Sequence, residues 1–175
     1  MKKLLTFLLF SFIIGCASTE NIISDYDETV DFNKYSTFVI CVDDLFVENT
    51  AFPKYDNNKI RALLSDAVEL QMIALGNKTN ALKPELQVGF KLVVEEKEST
   101  FKNCEIDDEL HYWHECTINT EIYTTETLII YVSDFEINQI VWQASIKCDM
   151  NKSKKYLQPY IKELVIKLFN EYPKQ

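Results

Sequence analysis

Both histidines of the chain and two of its cysteines fall within one 13-residue segment, at Cys104, His111, His114 and Cys116. Cysteine thiolates and histidine imidazoles are the ligands of structural zinc sites. The spacing matches no standard zinc motif, and His111 and His114 would not share a face if the segment forms a strand. Exported cysteines also tend to oxidise, which removes the thiolate ligands. We therefore treat His111 and His114 as weak metal candidates and expect no bound metal or cofactor.

A cysteine nucleophile is the second chemistry that this segment suggests. Cys116 has His114 two positions before it, and Cys104 is close in sequence. Cysteine–histidine dyads are assembled in three dimensions, so nearness along the chain is weak support. No motif typical of cysteine enzymes surrounds either cysteine. Because no other catalytic motif is recognisable, we expect a protein that is not an enzyme.

Disulfide bonds are the ordinary interpretation of these cysteines. Four cysteines follow Cys16, at positions 41, 104, 116 and 148. An even number in an exported chain indicates two disulfides, with three possible pairings. We favour Cys104–Cys116, which are close in sequence and flank a predicted strand connection. Cys41 and Cys148 would then join two predicted strands, the alternative being that some of these cysteines are buried thiols.

Cys16 ends a segment that is typical of an export signal. Lys2 and Lys3 are followed by an apolar run over residues 4–14, which is too short to span a bilayer as a mature helix. The four residues Ile-Ile-Gly-Cys that end at Cys16 resemble a bacterial lipobox, in which the cysteine is lipidated and becomes the first mature residue. We therefore predict a signal peptide over residues 1–15 and acyl chains, such as palmitate, on Cys16.

The charge of the mature chain limits how it can bind a membrane. Cleavage before Cys16 leaves 160 residues, enough for one domain with a buried core. It also removes Lys2 and Lys3, so 16 basic residues face 27 acidic ones and the net charge moves from −9 to −11. An acidic chain without a basic stripe argues against binding to nucleic acid or anionic headgroups. Attachment then depends on acyl chains, whose buried methylenes contribute about 0.8 kcal/mol each.

The elements that would position these residues are a mixture of strands and helices. After a short tether over residues 17–24, apolar and β-branched patterns predict strands, and apolar stripes at helical spacing predict two helices. Gly76 is placed to end the first helix, and the last two strands form a hairpin. The predicted strands are residues 37–42, 86–95, 116–122, 127–132 and 140–147, and the helices are residues 60–75 and 155–172.

This order predicts an α+β fold, in which two helices cover one face of an antiparallel-dominated sheet as a two-layer sandwich. A right-handed crossover through the first helix would make the strands on either side of it parallel neighbours. We expect the core to contain large apolar side chains from both layers, namely Phe38, Phe90, Ile130, Trp142 and Leu164.

Three stretches of the chain resemble DUF4136, a family of bacterial lipoproteins defined by a domain of unknown function. The first is acidic and aromatic, Asp-Tyr-Asp at residues 25–27 with Tyr-Ser-Thr-Phe at residues 35–38. The second is the hairpin whose second strand carries Trp142, and the third is the closing helix that ends at Pro173. The resemblance implies one domain over residues 25–173, preceded by a lipidated tether over residues 16–24.

The chain departs from the family pattern in two places. Glu126 stands where a glycine is expected, and residues 99–116 look like an elaboration. Since the activity of the family is not established, the resemblance implies a fold and a location but no catalytic residues.

These observations predict a lipid-anchored protein of the cell envelope with a structural or interaction role and with envelope proteins as partners. The alternative is a lipoprotein that binds a small ligand or a metal. Ala17 follows Cys16 where an aspartate would favour retention in the inner membrane. We therefore expect the outer membrane, with the domain facing the periplasm.

Overall fold

The computed structural model describes residues 21–47, 50–105 and 115–173, without the side chains of residues 102–105 and 115–117. Six strands form one sheet in the order β1-β6-β5-β4-β2-β3. Short 3-10 turns lie at Phe32–Lys34 and Asp43–Leu45. The main elements are β1 (Ile23–Tyr26), β2 (Thr37–Ile40), α1 (Asn58–Ala74), β3 (Lys78–Thr79), β4 (Leu86–Glu105), β5 (Glu115–Asp134), β6 (Gln139–Cys148) and α2 (Lys154–Phe169).

The sheet is mixed. Strands β1, β6, β5 and β4 pair antiparallel in that order, whereas β2 is parallel to both β4 and β3. The α+β class is confirmed, but the expectation of an antiparallel-dominated sheet was wrong. The physical reason is the crossover through α1, which returns the chain to the sheet in the same direction. The predicted parallel pair on either side of the first helix is therefore confirmed as β2 and β4.

Helix α1 begins and ends at residues whose chemistry the sequence displays. The Asn57 side chain accepts hydrogen bonds from the backbone N–H groups of Lys59 and Ile60, both at 3.1 Å. At the other end, Gly76 adopts a φ of +92°. Its N–H donates to the Ile73 carbonyl, and the next N–H donates to the Met72 carbonyl. This pair of bonds is a Schellman motif, so Gly76 ends the helix as predicted.

The core lies between the helices and the sheet. Helices α1 and α2 contact each other, and α1 also contacts β4 while α2 contacts β6. Trp142 is fully buried, packs against Phe169 and Tyr172, and donates from Nε1 to the Glu171 carbonyl at 3.2 Å. All five predicted core residues are at most 1% exposed, and they are Phe38, Phe90, Ile130, Trp142 and Leu164.

The two ends of the described chain complete this picture. Strand β1 begins at Ile23, within the segment that we expected to act as a short tether, and it pairs with β6 at the edge of the sheet. Within the described residues, neither helix has the length and apolar character needed to cross a membrane.

Candidate functional site

The hairpin of β4 and β5 extends far beyond the other strands. Cys148, the last paired residue of β6, lies opposite Glu126, which itself pairs with Val94 of β4. Past this point, residues 95–105 and 115–125 pair only with each other among the described strands. We call these two segments of 11 residues the arm. At about 3.4 Å per residue the arm projects by roughly 34 Å from the rest of the sheet.

The arm exposes apolar side chains on both faces. Ile118 and Ile122 are 67% and 65% exposed, and their even positions place them on one face, as predicted. Phe101 and Tyr123, which are about half exposed, lie on the opposite face. Exposed apolar side chains that cluster on one element are a feature of protein interaction sites. The arm is therefore the first candidate functional site.

The hairpin that forms the arm is strongly acidic. The two segments of the arm contain six acidic and two basic residues, a net charge of −4. The one ion pair described on it joins Lys97 Nζ to Glu95 Oε2 at 3.6 Å, with both side chains at least half exposed. The arm thus presents apolar side chains within a negatively charged surface.

The two cysteines of the predicted chemical cluster lie near the outer end of this arm. His111 and His114 lie outside the described residues, as does Cys16. Cys104 and Cys116 lie directly opposite each other in the register of β4 and β5. Across residues 21–47, 50–105 and 115–173, no group of three or more potential ligands is placed to hold a metal ion. The cysteines therefore lie on paired strands, while the histidines remain sequence candidates.

The predicted bond between Cys41 and Cys148 was wrong. Cys41 is buried just after β2, Cys148 ends β6, and neither is disulfide bonded. Strands β5 and β4 lie between β6 and β2. Three strand spacings separate the two cysteines by about 14 Å across the sheet, beyond the Cα separation of about 7 Å that a disulfide tolerates.

A buried polar cluster that sequence reasoning missed is centred on Asp44. Its Oδ2 accepts from the Tyr131 hydroxyl at 2.6 Å and from the Phe90 N–H at 3.0 Å. Gly89 makes this approach possible, because a Cβ there would overlap both the Asp44 carboxylate and the Tyr131 ring. A lone glycine inside a strand pattern was the available signal, since it often marks the close approach of another group.

Helix α1 completes the cluster through Arg61. Its Nη1 donates to the Asp44 carbonyl, and its Nε and Nη2 bind both carboxylate oxygens of Asp56, all at 2.7 Å. Burial and the bond to Asp44 raise the pKa of Tyr131, so its hydroxyl stays a donor. Each group is therefore engaged by another, and the cluster fastens the loop after β2 to β4 and α1.

Two further buried carboxylates accept hydrogen bonds from backbone N–H groups in the connections that follow strands β5 and β6. Asp134 accepts from the Tyr35 hydroxyl at 2.7 Å and from two amides of the turn between β5 and β6. Burial opposes its ionisation, but these hydrogen bonds lower its pKa. Glu126, at the position that departs from the family pattern, accepts from the Met150 N–H at 2.5 Å. Burial raises the pKa of Glu126.

The cavities of the described residues offer little for a small ligand. A groove of 230 Å³ between β1 and β6 is smaller than the typical range of about 300–1,000 Å³ for ligand sites. A second cavity of 420 Å³ lies before α1. Its lining residue Asp56 is bound by Arg61, and Asn57 caps the helix and donates to the Pro53 carbonyl. Two of the polar side chains that line this cavity are thus already engaged.

Two solved structures share this fold at low sequence identity, and a third match has a lower TM-score. A DUF4136 family protein from Bacteroides thetaiotaomicron is 15% identical, with a TM-score of 0.57 over 90% of this chain and 97% of that one. A PDZ domain protein from Parabacteroides distasonis is 13% identical, with a TM-score of 0.58, and the match covers 89% of this chain but 36% of that one. A PelC dodecamer from Paraburkholderia phytofirmans is 9% identical, with a TM-score of 0.45 over 89% and 98% of the two chains.

Sequence comparison gives the same assignment. No curated protein matches this chain significantly. The model of DUF4136, a domain of unknown function, matches residues 22–174, which is most of the sequence. The hairpin with Trp142 and the closing helix, which suggested this family, lie within that range. The chain belongs to the DUF4136 family.

Proposed function

We propose that this chain is a lipid-anchored protein of the cell envelope, without catalytic activity, whose arm binds a partner protein. The observation that carries the proposal is the arm itself. It extends 11 residue pairs beyond the sheet and keeps four large apolar side chains exposed, namely Phe101, Ile118, Ile122 and Tyr123. A ribbon of this length with no core of its own is suited to insertion into another surface.

Anchoring through Cys16 would keep the domain close to the membrane. The first strand begins at Ile23, seven residues after Cys16. Seven extended residues reach at most about 25 Å. The outer membrane, with the domain facing the periplasm, is the location that we propose, because no aspartate follows Cys16 at Ala17.

The charge of the arm indicates what kind of partner it binds. A surface with basic side chains around an apolar groove would complement an arm with a net charge of −4. A second copy of this chain brings the same acidic hairpin, and anionic headgroups are also negative, so both would be repelled. We therefore infer a different protein with a basic, partly apolar surface.

The buried polar side chains of the domain support a binding role, because they bind one another. Asp44, Tyr131, Arg61 and Asp56 are engaged with one another, as are Tyr35 and Asp134. We infer that the two helices and the sheet form two layers, with both helices on one side. This domain would then act as a rigid base from which the arm projects.

Anchoring can be tested with Cys16→Ser in the full chain. We expect the wild type to incorporate radiolabelled palmitate and to sediment with membranes. The variant should lose the label and keep its hydrophobic signal segment. Equal label in both proteins would contradict lipidation at Cys16.

Partner binding can be tested by placing a photo-crosslinking phenylalanine analogue in living cells. Tyr123 of the arm and Tyr156 of α2 are a matched pair of exposed tyrosines. We expect a discrete heterologous product from position 123 alone, with the crosslinked partner peptide rich in lysine and arginine. The product should be lost in Ile118→Thr/Ile122→Thr and kept in Ile23→Thr/Ile140→Thr, which changes exposed strand isoleucines elsewhere.

Three outcomes would contradict an arm that binds a different protein. They are no product from position 123, the same product from both positions, and a product that contains only a second copy of this chain.

A further inference from the structure

The register of β4 and β5 places Cys104 directly opposite Cys116. The two strands pair without a register shift from Leu86 opposite Asp134 to Glu105 opposite Glu115. The alternation of hydrogen-bonded and non-hydrogen-bonded pairs can therefore be followed along the whole hairpin.

Hydrogen bonds at the inner end of β4 show which residues form hydrogen-bonded pairs with β5 and which form non-hydrogen-bonded pairs. The Val88 carbonyl accepts from the Cys41 N–H at 2.8 Å, and the Phe90 N–H donates to Asp44. Both groups point away from β5. Because backbone groups alternate in direction along a strand, the even positions of β4 form non-hydrogen-bonded pairs with β5.

Cys104 occupies an even position, so it forms a non-hydrogen-bonded pair with Cys116. In such a pair the Cα atoms are about 4.5 Å apart and the two residues belong to the same face of the hairpin. This separation lies within the range of about 4.4–6.8 Å that disulfides occupy. The backbone therefore holds both cysteines where a cross-strand bond can close.

The other cysteines of the sheet are too distant to compete. The backbone N–H of Cys41 donates a hydrogen bond to the carbonyl of Val88, which lies 16 residues before Cys104 on β4. Cys148 lies opposite Glu126, ten residues beyond Cys116 on β5, or about 34 Å along the strand. Among the cysteines at positions 41, 116 and 148, only Cys116 is within bonding reach of Cys104.

We propose that Cys104 and Cys116 form a cross-strand disulfide that closes the outer end of the arm. The two thiols give two electrons and two protons to the disulfide of an envelope thiol oxidoreductase, which leaves as a dithiol. The bond closes a 13-residue loop and so restricts the unpaired states of the arm. It also consumes the thiols that a zinc site or a nucleophile would need. Its formation in cells rests on the export proposed above.

Thiol counting on the full chain tests this pairing. Cells are lysed in N-ethylmaleimide and detergent, and the protein is then reduced and labelled with a heavy maleimide. We expect two heavy labels in the wild type and in Cys41→Ser/Cys148→Ser, and none in Cys104→Ser or Cys116→Ser. Unreduced digests should contain one linked peptide pair, which joins Cys104 to Cys116. A linked pair that includes Cys41 or Cys148 would overturn the proposal.

A second experiment separates the ability of Cys104 and Cys116 to pair from the export of the protein. Purified reduced protein is equilibrated in a glutathione redox buffer, and amide exchange is compared between oxidised and reduced forms. Closure in the buffer, with exchange slowed in residues 95–105 and 115–125 only, supports the pairing even if the cellular protein is reduced. That combination would contradict export instead. No closure in the buffer would overturn the proposal.

Discussion

The inner half of the β4–β5 hairpin and the arm differ in burial although they belong to the same two strands. Residues 86–94 and 126–134 form the inner half, and one unbroken register continues from it into the arm. In the inner half, Leu86, Val88 and Phe90 are fully buried beside the helices. In the arm, every large apolar side chain that is described is about half exposed or more.

This difference shows that pairing and burial are separate properties of a strand. The inner half has apolar side chains at even positions of β4, which matches one covered face. The arm has apolar side chains on both faces, a pattern that a single covering layer cannot satisfy. Two-stranded ribbons are marginally stable alone, so the arm depends on the inner half to continue its register.

The comparison is tested most strongly by two phenylalanines of β4. Phe90 is fully buried in the inner half, whereas Phe101 in the arm is 52% exposed. Phe90→Ala should lower the free energy of unfolding by about 3–5 kcal/mol, because it leaves a core cavity. Phe101→Ala should change it by less than about 1 kcal/mol. Urea unfolding of a soluble form that begins at Ala17 measures both, and similar losses would mean that the arm is packed.

A second pair of variants compares ion pairs in the two regions. Arg61 and Asp56 are at most 4% exposed and meet at 2.7 Å, and Arg61→Met leaves a buried carboxylate without its partner. We expect a loss of about 3–5 kcal/mol. The exposed pair of Lys97 and Glu95 in the arm is the control, and Lys97→Met should leave urea unfolding unchanged within error. A loss on Lys97→Met that matched the loss on Arg61→Met would contradict an exposed arm.

The sequence predicts the elements that bury an apolar stripe. Helix α1 and the hairpin of β5 and β6 follow from apolar periodicity, and α1 is bounded by Asn57 and Gly76. The parallel pair of β2 and β4 follows from the crossover through α1. The core position of Trp142 follows in the same way.

The arm was only partly predicted, for a physical reason. Residues 95–104 are polar and charged, so they carry no burial pattern, and the predicted strand ends at residue 95. The backbone groups of every second residue nevertheless pair with residues 116–125 across the hairpin, which is enough to form a strand. The four exposed residues of β1 are similar, because edge pairing leaves no periodic signal. Asp44 and Tyr131 lie 87 residues apart, so only Gly89 hinted at their contact.

The buried Glu126 gives a pH-dependent test at the border between the two regions. Burial raises its pKa, so folding favours the protonated form. Its stabilising contribution is present below the pKa of the unfolded chain and is lost as the pH rises through the raised value. Glu126→Gln removes this ionisation and keeps an acceptor for the Met150 N–H. Urea unfolding from pH 4 to pH 8 should therefore show the wild type losing stability relative to the variant as the pH rises. A constant difference would mean that Glu126 is not buried.

Removal of the arm is also expected to have only a small effect on stability. Lys97 and Tyr123 are at odd positions and so form a hydrogen-bonded pair, which a two-residue hairpin turn can follow. Replacing residues 98–122 with Asn-Gly deletes most of the arm and leaves the inner half intact. Since the described side chains of the deleted range, at residues 98–101 and 118–122, are mostly exposed, the free energy of unfolding should change by no more than about 1 kcal/mol. The crosslink to a partner should disappear in the same variant. A domain that unfolds without the arm would show that the hairpin stabilises the fold, and the arm could then no longer be treated as a separate binding element.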